Sequence, residues 1–336
     1  MNTPNRIEKI DFLRGIAALS VALMHLSSST LPEVKLNYLH EFLYYGKYGV
    51  QVFFVISGFI IPFSLYKNQY HLQHYFKNVW KRFLRINPPA YINLLFLFLL
   101  QGIAFLIAGQ FIEGIIDMNT TSVIGNLTFT VDFLNTSWFF PPYWTLEAEW
   151  QFYIIIGLLF PLLMKLKDWA NCILLIGISL LSLFKDFALL FTYSSFFAVG
   201  ILLFLHKEKR IRTLFFCMTS LTLFSLCWYT RGTVEAIVFA IAFGVIYAPY
   251  SFYHTKTDYL GKISYSLYIT HFLVLIYMDL LFKRIGLIHL HEYEWGKFIL
   301  LAINLFVALI FAHYFYKYIE KPFLKYSRKI TWKKDP

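Results

Sequence analysis

Four places in this chain of 336 residues carry side chains able to do chemistry, and all four lie in or beside apolar stretches. Arg14 and His25 stand eleven residues apart in IDFLRGIAALSVALMHLSS, residues 10–28. At about 100° per residue that spacing is three turns plus only about 20°, with a rise of roughly 16 Å, so both groups share one helix face. Ionisable groups in hydrocarbon are costly enough to make a functional reading the default, and this face must meet protein or water. Glu147 and Glu149 open a second helix in FFPPYWTLEAEWQFY. Two residues apart, they point to roughly opposite faces. Glu149, deeper and on the side of Phe152 and Tyr153, is the inward one. In KRFLRINPPAY, Lys81, Arg82 and Arg85 form a fork of cations. Such a fork suits polyphosphate oxygens or anionic lipid. In GKISYSLYITHF, Ser264, Tyr268 and His271 fall at i, i+4 and i+7 on one further helix face.

The elements that must position these groups are membrane spans. With 58% hydrophobic and 15% charged residues and a mean hydropathy of +0.58, the chain is too apolar for a soluble domain of its length. The expected fold is an all-α polytopic membrane protein. Ten apolar windows are expected to span, near 10–28, 46–66, 90–109, 147–164, 170–184, 187–205, 213–229, 233–250, 263–282 and 297–317. An eleventh stretch, 122–136, holds Asn126, Thr128, Thr130, Asp132 and Asn135 and reads as a re-entrant or interfacial segment. Residues 1–325 form the transmembrane domain and 326–336 a basic cytoplasmic tail.

The net charge of +11 does not call for nucleic acid, because alternation of ten spans puts 22 of the 30 basic residues on one side and seven on the other. This is the positive-inside pattern, and it places both termini in the cytoplasm. It also puts His25 and Glu149 in the same, outer leaflet. A histidine and a carboxylate at one depth can act as an oriented general base, or they can simply fix helix packing. The cation fork, by contrast, lies at the inner rim.

Other residues read as support. Ser57 and Gly58 in YGVQVFFVISGFIIPF allow close helix approach, as do Ser194, Ser195 and Gly200. Trp144 marks the interface. Pro88 and Pro89 are expected to end a helix before the third span, and Pro322 to end the last one, where Glu320 is placed to pair with a basic residue of the inner rim. Cys172, Cys217 and Cys227 are expected to be free, buried thiols. His71 and His74 lack a carboxylate or third ligand in register, and His289, His291, Glu292 and Glu294, which could bind a metal, read as a solvated loop, so no metal site is expected. Arg14 interrupts the apolar core of the N-terminal stretch, which therefore reads as a retained span rather than a signal peptide.

Six pieces in order, IDFLRGIAALSVALMH, GVQVFFVISGF, KRFLRINPPAY, WTLEAEWQFY, GKISYSLYITH and EKPF, make the chain resemble the acyltransferase-3 family of integral membrane acyltransferases. Thr145 stands where serine is common in the WSLxxE-type pattern and keeps the hydroxyl. The resemblance implies a membrane O-acyltransferase that takes an acyl group, most often acetyl, from cytosolic acyl-CoA to a hydroxyl of an extracytoplasmic glycan or lipid-linked sugar. It implies donor phosphates on Arg82 and Arg85, with Lys81 beside them and Arg14 extending the path inward. His25 would be the base or a transient acyl carrier, and Glu149 would orient it. Acyl-CoA is then a co-substrate, with no tightly bound cofactor, and the remaining partners are the acceptor and membrane lipids of a bacterial inner membrane. Many members carry a hydrolase-like domain after the last span; here the sequence ends at Pro336, so the acceptor step is expected of the membrane domain or a separate protein. The alternative is a proton-coupled transporter or exporter, with Arg14, His25 and His271 as its path. That class favours inverted repeats and paired broken helices, and neither is evident.

Overall fold

The computed structural model describes residues 8–31, 37–108, 119–184, 187–249 and 255–332. Arg6, Lys35, Lys185, Lys333 and Lys334, which entered the count of basic residues, lie outside them. In chain order the helices are α1 (Glu8–Thr30), α2 (Asn37–Tyr44), α3 (Gly49–Lys67), α4 (Tyr75–Ala108), α5 (Thr120–Thr128), α6 (Trp144–Lys165) and α7 (Asp168–Leu180). They continue with α8 (Leu189–Thr192), α9 (Ser194–Lys207), α10 (Thr213–Arg231), α11 (Thr233–Tyr247), α12 (Thr255–Arg284), α13 (Glu294–Phe315) and α14 (Lys321–Lys329). No strand occurs among the described residues.

Seven helical stretches are long and apolar enough to cross a membrane, and three shorter apolar helices, Asp168–Phe184, Ser194–Lys207 and Thr233–Tyr247, complete the set. Each of the ten expected windows falls on one of these. The 14-residue α9 is shorter than the roughly 20 residues a lipid-facing span requires. Every residue from Ser194 to Leu205 is buried, so its neighbours, not lipid, set its length. The 122–136 segment is α5 followed by turns, with Asn126 fully buried and bonded to Ser137 O and Phe139 N.

Contacts sort the connecting segments into two ends. At one end Lys67 pairs with Glu208, Arg212 with Asp168, Lys9 donates to Ala248 O, Lys81 to Ile330 O and Trp332 to Asn68 O. Each of these joins two segments expected inside. At the other end Ser182 donates to Thr230 and Arg231 lies over the Tyr193 ring, joining segments expected outside. α14 runs through position 325, and Trp332 stacks on His74.

Three expectations need correction. α4 is continuous through Pro88 and Pro89, so the cation fork and the third span are one helix. The chain there is braced from outside: Tyr265 donates to Ile86 O at 2.7 Å and Trp150 to the Asn87 side chain at 3.1 Å. Neighbouring helices thus support the backbone that prolines weaken. Pro322 does not terminate its helix but sits in the first turn of α14, where no amide is needed, after a π-turn over Tyr316–Glu320. Cys217 is exposed on α10, whereas Cys172 and Cys227 are buried.

α3 and α9 touch backbone to backbone. A Cβ on Gly58 would lie 2.3 Å from Phe197 O, and one on Gly200 2.3 Å from Val55 O. Gly58→Ala and Gly200→Ala are therefore expected to lower the thermal midpoint in detergent, with an overpacking cost of about 1–3 kcal/mol each. Gly177→Ala and Gly244→Ala, where a Cβ meets nothing within 4 Å, should leave it unchanged in the same heated size-exclusion assay.

Candidate active site

A cavity partly open to its surroundings, with about 740 Å³ of space not filled by atoms when its open mouth is included, lies between α1, α3, α4, α6 and α12. Its polar lining is Arg14, Ser57, Arg85, Thr145, Glu149, Tyr153, Tyr265 and Tyr268, set among apolar residues of α3. From Val50 to Ile61 on α3 it runs roughly 16 Å along the helix. The arginines stand towards the end where the inner segments gather, and Thr145 and Val50 at the outer ends of α6 and α3.

Glu149 is held in the wall by two hydroxyls. Ser57 donates to Oε1 at 2.8 Å and Tyr153 to Oε2 at 2.7 Å. Both donors are side chains, so the carboxylate's position depends on α3 and on its own helix together. Glu147, on the opposite face of α6, is fully buried and takes the Asp132 N–H at 3.1 Å and the Gln151 amide at 3.4 Å. The two carboxylates therefore do different work: one faces the cavity and the other ties the 131–133 turn to α6.

The expected residues separate by position. Arg14, Arg85, Ser57, Glu149, Tyr153 and Tyr268 line the cavity. Arg82 lies behind it, buried, with its guanidinium 5.4 Å from the Tyr153 ring and its Nε without an acceptor among the described residues. Lys81 turns to the C-terminal segment, with its ammonium 5.2 Å from the Trp332 ring. Trp144 stacks on Tyr193, Ser264 bonds Gly261 O and Gly58 faces α9, so these three support packing. Glu320 is buried and accepts from Ser266 at 2.6 Å; its expected cation partner is replaced by this hydroxyl, with Arg14 and Arg85 acting on it through space.

His25 does not line the cavity and does not pair with Glu149. Its ring faces His271, with centroids 5.2 Å apart, and Phe272 edge-on at 5.8 Å. Tyr268 forms the partition: its ring touches Phe53 on the cavity side and His271 on the other. Its hydroxyl donates to Pro142 O at 2.8 Å and meets Thr145 Oγ1 at 2.8 Å.

The sequence profile of the family described as acyltransferase domain matches residues 7–317. The chain belongs to the acyltransferase-3 family. O-acetyltransferase OatA of Staphylococcus aureus strains NCTC 8325 and COL is 24% identical, over 97% of this chain and 58% of the relative. The chain thus spans 58% of the length of the curated relatives it matches. No solved structure matches it.

Within this acyltransferase domain, Tyr265 and Asn93 are the residues that spacing did not reveal. Tyr265 lines the cavity. Buried Asn93 on α4 donates to Tyr143 OH at 2.9 Å and Ile269 O at 2.7 Å, locking α4 to α12 and to the turn before α6. Asn93 sits in an otherwise apolar run, INLLFLFLL, and an amide at that depth was the available signal. Glu147→Ala is expected to cost about 1–3 kcal/mol by stranding the Asp132 amide. Glu147→Gln, which keeps an acceptor, should retain most of that stability in a thermal melt.

Proposed function

We propose that the chain is a membrane O-acyltransferase that moves an acyl group, acetyl foremost, from cytosolic acyl-CoA to a hydroxyl of an extracytoplasmic glycan or lipid-linked sugar, in a bacterial inner membrane. The observation that carries this reading is the cavity's polarity: two arginines towards the inner end, and a carboxylate with its hydroxyl donors towards the outer one. Membership in the family favours it over the transporter reading.

A donor entering from the cytosol meets guanidinium groups first. Arg14 and Arg85 would take phosphate oxygens bidentately, with Arg82, buried behind the cavity, adding positive charge. The pantetheine arm then fits the apolar α3 wall, bringing the thioester towards Ser57 and Glu149. The acceptor arrives from outside, where His25 takes its hydroxyl proton as the oxygen attacks the thioester carbonyl. The C–S bond breaks, and the departing thiolate recovers that proton. Tyr268 and Phe53 close the cavity off from His25, so the attack requires the Tyr268 ring to move aside.

The test is release of free CoA from acetyl-CoA by proteoliposomes holding wild type, His25→Ala or Arg85→Ala, with a cell-envelope glycan extract on the opposite side. Wild type is expected to turn over. His25→Ala should lose about 100-fold or more of that rate, and Arg85→Ala should weaken acetyl-CoA binding about tenfold or more. A folded wild type that neither binds nor consumes acetyl-CoA overturns the donor assignment.

A further inference from the structure

His271 is fully buried in α12, and its two ring nitrogens have different surroundings. Nδ1 lies 3.2 Å from Leu267 O. A carbonyl only accepts, so Nδ1 carries the proton and Nε2 presents a lone pair. Among the described residues nothing donates to Nε2. An unmade bond at a buried acceptor costs about 1–3 kcal/mol, which an apolar side chain of similar size would avoid.

The titratable ring packed beside His271 is His25 on α1, with ring centroids 5.2 Å apart and planes 34° from parallel. No direct bond joins the two rings among the described residues, and at this spacing one water would bridge their nitrogens. The other ring neighbours do not compete. Tyr268 gives its hydroxyl proton to Pro142 O, and Phe272 offers no polar atom.

We propose that His271 is the positioning partner of His25: a bridging water takes a ring N–H of His25 and donates to His271 Nε2, and so leaves the opposite His25 nitrogen unprotonated towards the acceptor hydroxyl. The role rests on the reading of His25 as the base. It is the task a carboxylate performs in a Ser-His-Asp triad, done here by a neutral imidazole that brings no charge to be desolvated. Glu149, committed to Ser57 and Tyr153 inside the cavity, is then free of that duty.

The experiment uses the full chain labelled with ring-¹⁵N histidine in lipid bilayers, the His25 signals being assigned by their loss in His25→Asn. Solid-state NMR is expected to show His25 as one neutral tautomer in wild type, a tautomer mixture in His271→Phe, and the single tautomer again in His271→Gln, whose side-chain oxygen still accepts. In the acetyl-CoA assay His271→Phe should lose about 100-fold in kcat with KM for acetyl-CoA unchanged, and His271→Gln should recover at least a tenth of the wild-type rate. A single His25 tautomer in His271→Phe overturns the proposal. If that variant does not fold, His271→Gln decides: one tautomer supports the pairing and a mixture overturns it. Absence of turnover by wild type would remove the base reading of His25, while the NMR comparison would still decide the pairing itself.

Discussion

Glu149 takes a carboxylate into the interior of a predominantly apolar bundle, and the requirement that this group be solvated by protein shapes the site around it. A carboxylate accepts and cannot donate, so each oxygen needs a donor, and Ser57 and Tyr153 supply one each. Tyr153 in turn lies over the Arg82 guanidinium, and Arg14 and Arg85 bring positive charge into the same cavity. The cations and the carboxylate stabilise one another's presence at a depth where either alone would be expensive. Arg82 Nε has no acceptor among the described residues.

That arrangement depends on how closely α3 approaches α9. Adjacent residues of one helix face different ways, and Ser57 and Gly58 use this directly. Gly58 lets the backbones of α3 and α9 touch, and this contact turns Ser57 towards Glu149. A rotation of α3 by one residue, about 100°, would remove the hydroxyl from the carboxylate. Gly200 on α9 meets the same contact from the other side, so the serine's aim is set by two glycines on two helices.

Much of this was legible in the sequence, and the limits are physical. Span positions and sidedness follow from hydropathy and basic residues, because each is a local property of the chain. The Arg14–His25 face and the inward direction of Glu149 follow from helical periodicity for the same reason. Pairing between helices is a different matter. His25 and Glu149 share a leaflet, but depth alone does not select partners, and the helix crossing puts His271 beside His25 instead. Pro88 and Pro89 read as a break because the propensity is local, whereas Tyr265 and Trp150, which brace α4 there, come from distant segments. Tyr265 was hidden for a related reason: the i, i+4, i+7 pattern picked out Ser264, its neighbour, which faces the α12 backbone.

The two carboxylates of α6 also couple the outer turn to the cavity. Glu147 holds the Asp132 amide, and Glu149, half a turn away, holds the cavity wall. Thr145 on the same helix meets Tyr268, whose hydroxyl is also fastened to Pro142. A displacement of the 131–142 segment would therefore act on the first turn of α6 and on the Tyr268 ring together. Tyr268 separates the cavity from the histidine pair, so the contact that such a displacement would disturb is the one that keeps the two halves of the site apart.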